Sequence, residues 1–140
     1  MSGNNALIPE LAVTNCAASL SFYCDLLGFA VVYERPEEGF AFLAKGDAQL
    51  MIDEIGKGRT FEPAPFIAPL GRGVNFQILV TDLTAILERL RLAGVELFLP
   101  LEEKWYRRND HEVGNRQFIV ADPDGYLLRL FEECGERPAS

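Results

Sequence analysis

The feature that most restricts how this chain can fold is an internal repeat. Leu11-Ala12-Val13-Thr14-Asn15 recurs as Ile78-Leu79-Val80-Thr81-Asp82, an offset of 67 residues, and Ala18 and Leu20 recur as Ala85 and Leu87 at the same offset. Each copy opens on an apolar run that reads as a strand. A helix-start signal follows, Thr14-Asn15 in one copy and Thr81-Asp82 in the other. Apolar residues then recur at helical spacing: Cys16, Leu20, Tyr23 and Leu27 in the first copy, Leu83, Ile86, Leu87 and Leu90 in the second. Gly28 and Gly94 are natural helix stops. Residues 29–33 and 95–99 read as strands, and a hairpin is expected in each half. The first spans 40–53 around Lys45-Gly46-Asp47, and the second spans 117–132 around Asp122-Pro123-Asp124-Gly125. Leu50-Met51 matches Leu128-Arg129 at a larger offset, 78, which a polar loop over 101–116 accommodates. The tail from Cys134 reads as frayed.

One helix covers one face of a four-stranded sheet and leaves the other bare. Two such halves can satisfy each other by joining their bare faces around a cavity. The expected fold is therefore α+β, two βαβββ modules forming an open, cup-shaped curved sheet with the helices outside. The 140 residues read as a single domain whose modules, about 6–54 and 74–133, are joined by a linker at 55–73. That linker holds Gly56, Gly58, Pro63, Pro65, Pro69, Gly71 and Gly73 and has no sustained period.

Composition narrows the function classes. The net charge of −8 argues against nucleic acid and against an anionic membrane surface, and allows a cationic ligand. No apolar run approaches the roughly 18 residues of a membrane span. MSGNNALIPE has neither the basic nor the apolar segment of a secretory signal. Cys16, Cys24 and Cys134 cannot all pair, which suits a reducing compartment, and the expectation is a cytoplasmic protein. Strand alternation turns Leu11, Val13, Ile78 and Val80 toward the helices. It turns Glu10, Asn75, Gln77, Met51, Asp53, Arg129 and Phe131 toward the cup. Arg129 reads either as a partner for a ligand carboxylate or as an internal partner of Glu10 or Asp53. Phe40, Phe42 and Phe118 read as stacking groups or as core. The stretch 102–112 holds the only Trp and the only His, and reads as a lid or as a loop packed at a dimer interface. His111 stands alone in it, and Cys16 and Cys24 have no base beside them, so no catalytic residue is assigned.

Leu20-Ser21-Phe22-Tyr23 followed by Asp25-Leu26-Leu27-Gly28-Phe29 resembles a sequence block of the vicinal-oxygen-chelate superfamily, and Asp122-Pro123-Asp124-Gly125 through Leu130 resembles its second hairpin. That superfamily includes glyoxalase I, extradiol dioxygenases, and fosfomycin- and bleomycin-resistance proteins. The resemblance spans roughly 6–133 and implies the fold more than an activity. It also implies where a divalent metal would be held: at Ile8 and Met51 in the first half, and at Asn75 and Arg129 in the second. Ile and Met offer no hard donor, Asn a weak one, and Arg repels a cation. A register shift of two would offer Glu10, Asp53, Gln77 and Glu133 instead. The departure moves the resemblance toward the bleomycin-resistance branch, whose members bind a large cationic glycopeptide at a homodimer interface and do no chemistry on it. A stacking Trp of that branch falls at Val113 here, Phe40 and Tyr33 take other aromatic places, and Trp105 and Tyr106 lie in the same stretch. The expectation is a metal-independent, cofactor-free homodimer that sequesters an organic ligand, cationic and aromatic ligands included. The candidate contacts are Glu10, Tyr33, Phe40, Met51, Asp53, Asn75, Gln77, Trp105, Tyr106, Val113, Phe118 and Arg129. The alternative is a metal-dependent lyase, isomerase or dioxygenase of the glyoxalase type.

Overall fold

A computed structural model describes residues 3–139. The chain forms two four-stranded sheets, each with one parallel and two antiparallel pairs and its own helix. In the first module β1 (Glu10–Val13) leads into α1 (Cys16–Leu20), continued by a π-helical stretch (Ser21–Leu26). Then come β2 (Ala30–Arg35), β3 (Phe40–Lys45) and β4 (Ala48–Glu54), in sheet order β1-β4-β3-β2. In the second, β5 (Asn75–Leu79), α2 (Leu83–Leu92), β6 (Leu99–Arg108), β7 (His111–Ala121) and β8 (Leu127–Pro138) repeat the plan in order β5-β8-β7-β6. The α+β reading of two βαβββ modules is thus what the chain adopts. No helix is long and apolar enough to cross a membrane among the described residues.

Local chemistry explains the elements. The Asn15 side chain accepts from the Ala18 N–H at 3.0 Å and caps α1, as the sequence signal requires. Leu11, Val13, Leu43, Leu50 and Ile52 are buried in the first module, as are Ile78, Phe118, Val120, Leu128 and Leu130 in the second, beside Leu83, Ile86 and Leu90 of α2.

The chain divides into two compact units, and the division is not at the linker alone. The first is 1–70 together with 122–125; the second is 71–121 with 126–140. The turn Asp122-Pro123-Asp124-Gly125 therefore belongs to the first unit, although the chain reaches it from the second. The Tyr23 hydroxyl donates to Asp122 Oδ2 at 2.7 Å, and the Thr14 hydroxyl and N–H donate to Asp124 at 2.6 and 3.1 Å. The Leu70 N–H donates to the Asp124 carbonyl at 2.8 Å.

Two expectations are corrected. The stretch 101–116 is no polar loop: it is most of β6 and the start of β7, paired from Glu102↔Gln117 to Arg108↔His111 around a turn at Asn109-Asp110. Asn109 supplies the left-handed backbone, φ 58°, that such a tight reversal uses. The tail is not frayed from Cys134 either, because β8 continues to Pro138 and pairs with β7 as far as His111. These strands are polar on both faces, so no alternation announces them. Pairing with a neighbour satisfies their backbone groups.

Candidate functional site

Each sheet has one face turned to its helix and one not, and register decides which residues share the free face. In the first unit Glu10 is paired with Met51 and Ala12 with Asp53, while Asp53 is opposite Phe40 and Met51 opposite Phe42. Tyr33 lies opposite Phe42, and Arg35 opposite Phe40. Glu10, Tyr33, Phe40, Met51 and Asp53 therefore share one face of the sheet, on which Phe40 and Phe42 are themselves buried. Tyr33 is 45% exposed and stacks on Phe42 with centroids 5.2 Å apart and planes 17° from parallel. Phe40 lies 5.8 Å from Tyr33, and the Arg35 guanidinium sits 3.9 Å over its ring. A hollow of about 60 Å³ opens at one end, lined by Glu10, Ala12, Asp53, Arg59, Thr60 and Phe61. Desolvation, then the hydrogen bond and charge of Glu10, push Asp53 up to about 7, against the pull of Arg35.

The second unit carries a different chemistry. Gln77 is paired with Arg129, and Tyr106 lies opposite Val113. Asn75, Gln77, Tyr106, Val113 and Arg129 share the free face. With Arg107, Arg108, Asn115, Phe131 and Glu133, all of these but Asn75 line a hollow of about 290 Å³. Beneath it the Gln117 amide donates to Glu102 at 2.8 Å and to the Tyr106 oxygen at 2.7 Å, and Arg129 Nη1 donates to that same oxygen at 3.3 Å. Gln117 is 2% exposed and Asn115 6%. At this site the buried Gln117 Oε1 and Arg129 Nε have no hydrogen-bond partner among the described residues.

Two expected contacts fall on the wrong face. Phe118 is opposite Leu130, fully buried, on the side of the sheet where the α2 N-terminus meets Glu132 through the Leu83 N–H at 3.3 Å. It is core. Trp105 and Tyr106 are consecutive strand residues and so point to opposite faces. Only Tyr106 faces the hollow. Trp105 lies against Arg137, 4.1 Å from its guanidinium carbon, and donates to Glu103 at 2.9 Å. Asn115 and Gln117 were missed because they lie in or beside a stretch read as loop. Once a strand is assumed, their alternation with Val113 identifies them. Cys16 and Cys24 are pushed up in pKa, chiefly by burial, with acidic neighbours adding, which disfavours the thiolate. His111 sits at the hairpin end between Asp110 (3.1 Å) and Glu136 (3.4 Å), away from this hollow's lining.

The four places where a divalent metal is implied do not fit one. Ile8 and Met51 present carbon and a thioether, Asn75 an amide, and Arg129 a permanent cation. The shifted set offers only the Glu10–Asp53 pair in one unit and Gln77 and Glu133 in the other. No three His, Cys, Asp or Glu side chains are grouped to hold a metal among the described residues.

Comparison with known proteins agrees with this architecture. The family model described as the glyoxalase/bleomycin resistance protein/dioxygenase superfamily matches residues 7–130. A bleomycin resistance protein of Geobacillus stearothermophilus is 27% identical over 137 residues, 90% of this chain and 95% of that one. The crystal structure of TioX from Micromonospora sp. ML1 superposes with a TM-score of 0.69 at 23% identity, over 94% of this chain and all (100%) of that one. A lactoylglutathione lyase from Agrobacterium tumefaciens shares the fold too, with a TM-score of 0.59 at 17% identity over 94% and 96% of the two chains. With the family model spanning both modules and the sheet orders repeating, the chain belongs to the glyoxalase/bleomycin resistance protein/dioxygenase superfamily.

Proposed function

We propose that the chain is a metal-independent small-molecule binding protein that works by sequestration, as a cytoplasmic homodimer. One observation carries this reading. Where a metal ligand is implied on the last strand of the second sheet stands Arg129, beside Gln77 and hydrogen-bonded to Tyr106. That set repels a cation and offers donors to an organic molecule. The similarity to a bleomycin resistance protein supports a binding or resistance role. In the first unit, the exposed Tyr33, stacked on the buried Phe42, supplies aromatic surface, and Glu10 and Asp53 supply acid. These groups suit an aromatic, cationic ligand. In this reading the contacts are Glu10, Tyr33, Phe40, Met51 and Asp53 in the first unit, and Asn75, Gln77, Tyr106, Val113 and Arg129 in the second.

Calorimetric titration with metal-free and copper-loaded bleomycin, run in the presence of a chelator, tests it. Saturable heat that the chelator leaves unchanged is the expected result. Binding that disappears on chelation and returns with added zinc or manganese would overturn metal independence. No heat at micromolar protein would remove bleomycin as the ligand and leave the binding class to be tested with other organic molecules.

A further inference from the structure

The chain as a whole is acidic, yet the hollow of the second unit is not. Arg107, Arg108 and Arg129 line it against the single carboxylate of Glu133. None of these three is ion-paired among the described residues, whereas Arg91, Arg116 and Arg137 each hold a carboxylate at 2.6–3.0 Å. Tyr106 adds a second observation. A phenolic oxygen has two lone pairs and one proton. Its lone pairs are taken by Gln117 Nε2 at 2.7 Å and Arg129 Nη1 at 3.3 Å, so the O–H is left to donate, and it has no acceptor among the described residues. Both N–H bonds of the Gln117 amide are spent, one on Glu102 and one on Tyr106, which fixes that polarity. Asn115 is a third: it lines the hollow, is 6% exposed, and its side-chain amide makes no hydrogen bond among the described residues. Arg129 Nε is buried and unpartnered as well. Gln117 Oε1, the unpartnered acceptor, belongs to a residue that does not line the hollow.

Free donors and unpaired positive charge converging on one concavity define an anion site. Resting on the small-molecule reading above, we infer that this hollow is a clamp for the carboxylate of a small organic ligand. Arg129 and the Tyr106 O–H hold the carboxylate oxygens, and the Asn115 amide donates to them. The exposed Arg107 and Arg108 attract the anion, while Val113 and Phe131 cover its apolar body. At about 290 Å³ the hollow suits a compact molecule rather than a glycopeptide.

The test is calorimetry or NMR titration with benzoate, phenylacetate and indole-3-acetate, each beside its methyl ester, and with phenylphosphonate. Carboxylates are expected to bind and esters to bind about tenfold more weakly or worse, because a charge-assisted hydrogen bond is lost. Arg129→Gln and Tyr106→Phe should each weaken carboxylate binding about 10–100-fold. Arg129→Lys, which keeps the charge but loses the planar fork, should fall between Arg129→Gln and wild type. If Arg129→Gln fails to fold, the surface pair Arg107→Gln/Arg108→Gln still tests the charge: it should weaken binding and reduce its salt dependence. Phenylphosphonate binding more tightly than the carboxylates would overturn the carboxylate assignment. Esters binding as well as acids, with Arg129→Gln silent, would overturn the clamp and leave small-molecule binding standing. No anion binding, with bleomycin giving heat, would do the same. No heat from any of these ligands would overturn both.

Discussion

Replacing Tyr23 by phenylalanine removes one oxygen atom and should cost the fold about 1.5–3 kcal/mol, the range for a hydrogen bond to a charged group in a buried setting. The ring is fully buried, and its edge-on contacts with Phe22 and Phe29, centroids at 5.3 and 5.8 Å, survive the change. What is lost is the 2.7 Å bond to Asp122 Oδ2, and Asp122 is itself 5% exposed. Water cannot readily replace the missing donor at a residue this buried, so the loss should exceed that of a surface hydrogen bond. Urea unfolding at pH 7, with the wild-type slope preserved, reads the change as a lower midpoint. A double-mutant cycle with Asp122→Ala isolates the pair, and its coupling should account for most of the single-variant effect. Tyr23→Phe within about 0.5 kcal/mol of wild type would refute the reasoning, because surface substitutions alone lie in that band. The bond that binds the turn at 122–125 to the first helical segment would then contribute nothing to the first unit.

Asp53 has a folded-state pKa near 7, above its unfolded value, so the native state binds the extra proton. Its contribution to stability is fully present below the unfolded carboxylate pKa and is lost as pH rises through about 7. Asp53→Asn should therefore be more stable than wild type at pH 8, with the advantage vanishing near pH 4 in parallel thermal melts. Phe118→Ala should cost about 3–5 kcal/mol in denaturant, as expected for a fully buried aromatic. A β-carbon on Gly114 would stand 2.8 Å from both Trp105 Cζ2 and Cys134 Sγ. Gly114→Ala should cost about 1–3 kcal/mol and shift the emission of the single tryptophan, because Trp105 must move.

The repeat offset was the most informative part of the sequence. By placing Val13 and Val80 equivalently, it put Glu10 beside Met51 and Gln77 beside Arg129 in matching registers. The hairpin over 40–53 was legible because two apolar runs flank the Lys45-Gly46-Asp47 turn. The arm formed by β6 and β7 was not, because Glu102, Lys104, Arg107 and Arg108 are polar whichever way they face, and only the partner strand decides that they are extended. That one error hid Asn115 and Gln117, and it left Trp105 and Tyr106 together as candidate contacts. Phe118 was misplaced for a simpler reason. A phenylalanine suits either face of a half-buried strand, and only its register with Leu130 shows which face it takes. The long-range bonds of Tyr23 and Thr14 to the turn at 122–125 left no local signal, though Tyr23, Asp122 and Asp124 lie in the sequence blocks that carried the family resemblance.

Elemental analysis of protein purified without chelator, set against ligand titration of the same sample before and after EDTA, tests metal-independent binding most directly. Substoichiometric metal and an unchanged affinity are expected, because Ile8, Met51, Asn75 and Arg129 cannot hold a divalent ion. One tightly held Zn, Mn, Ni or Fe per chain, whose removal abolishes binding, would contradict it.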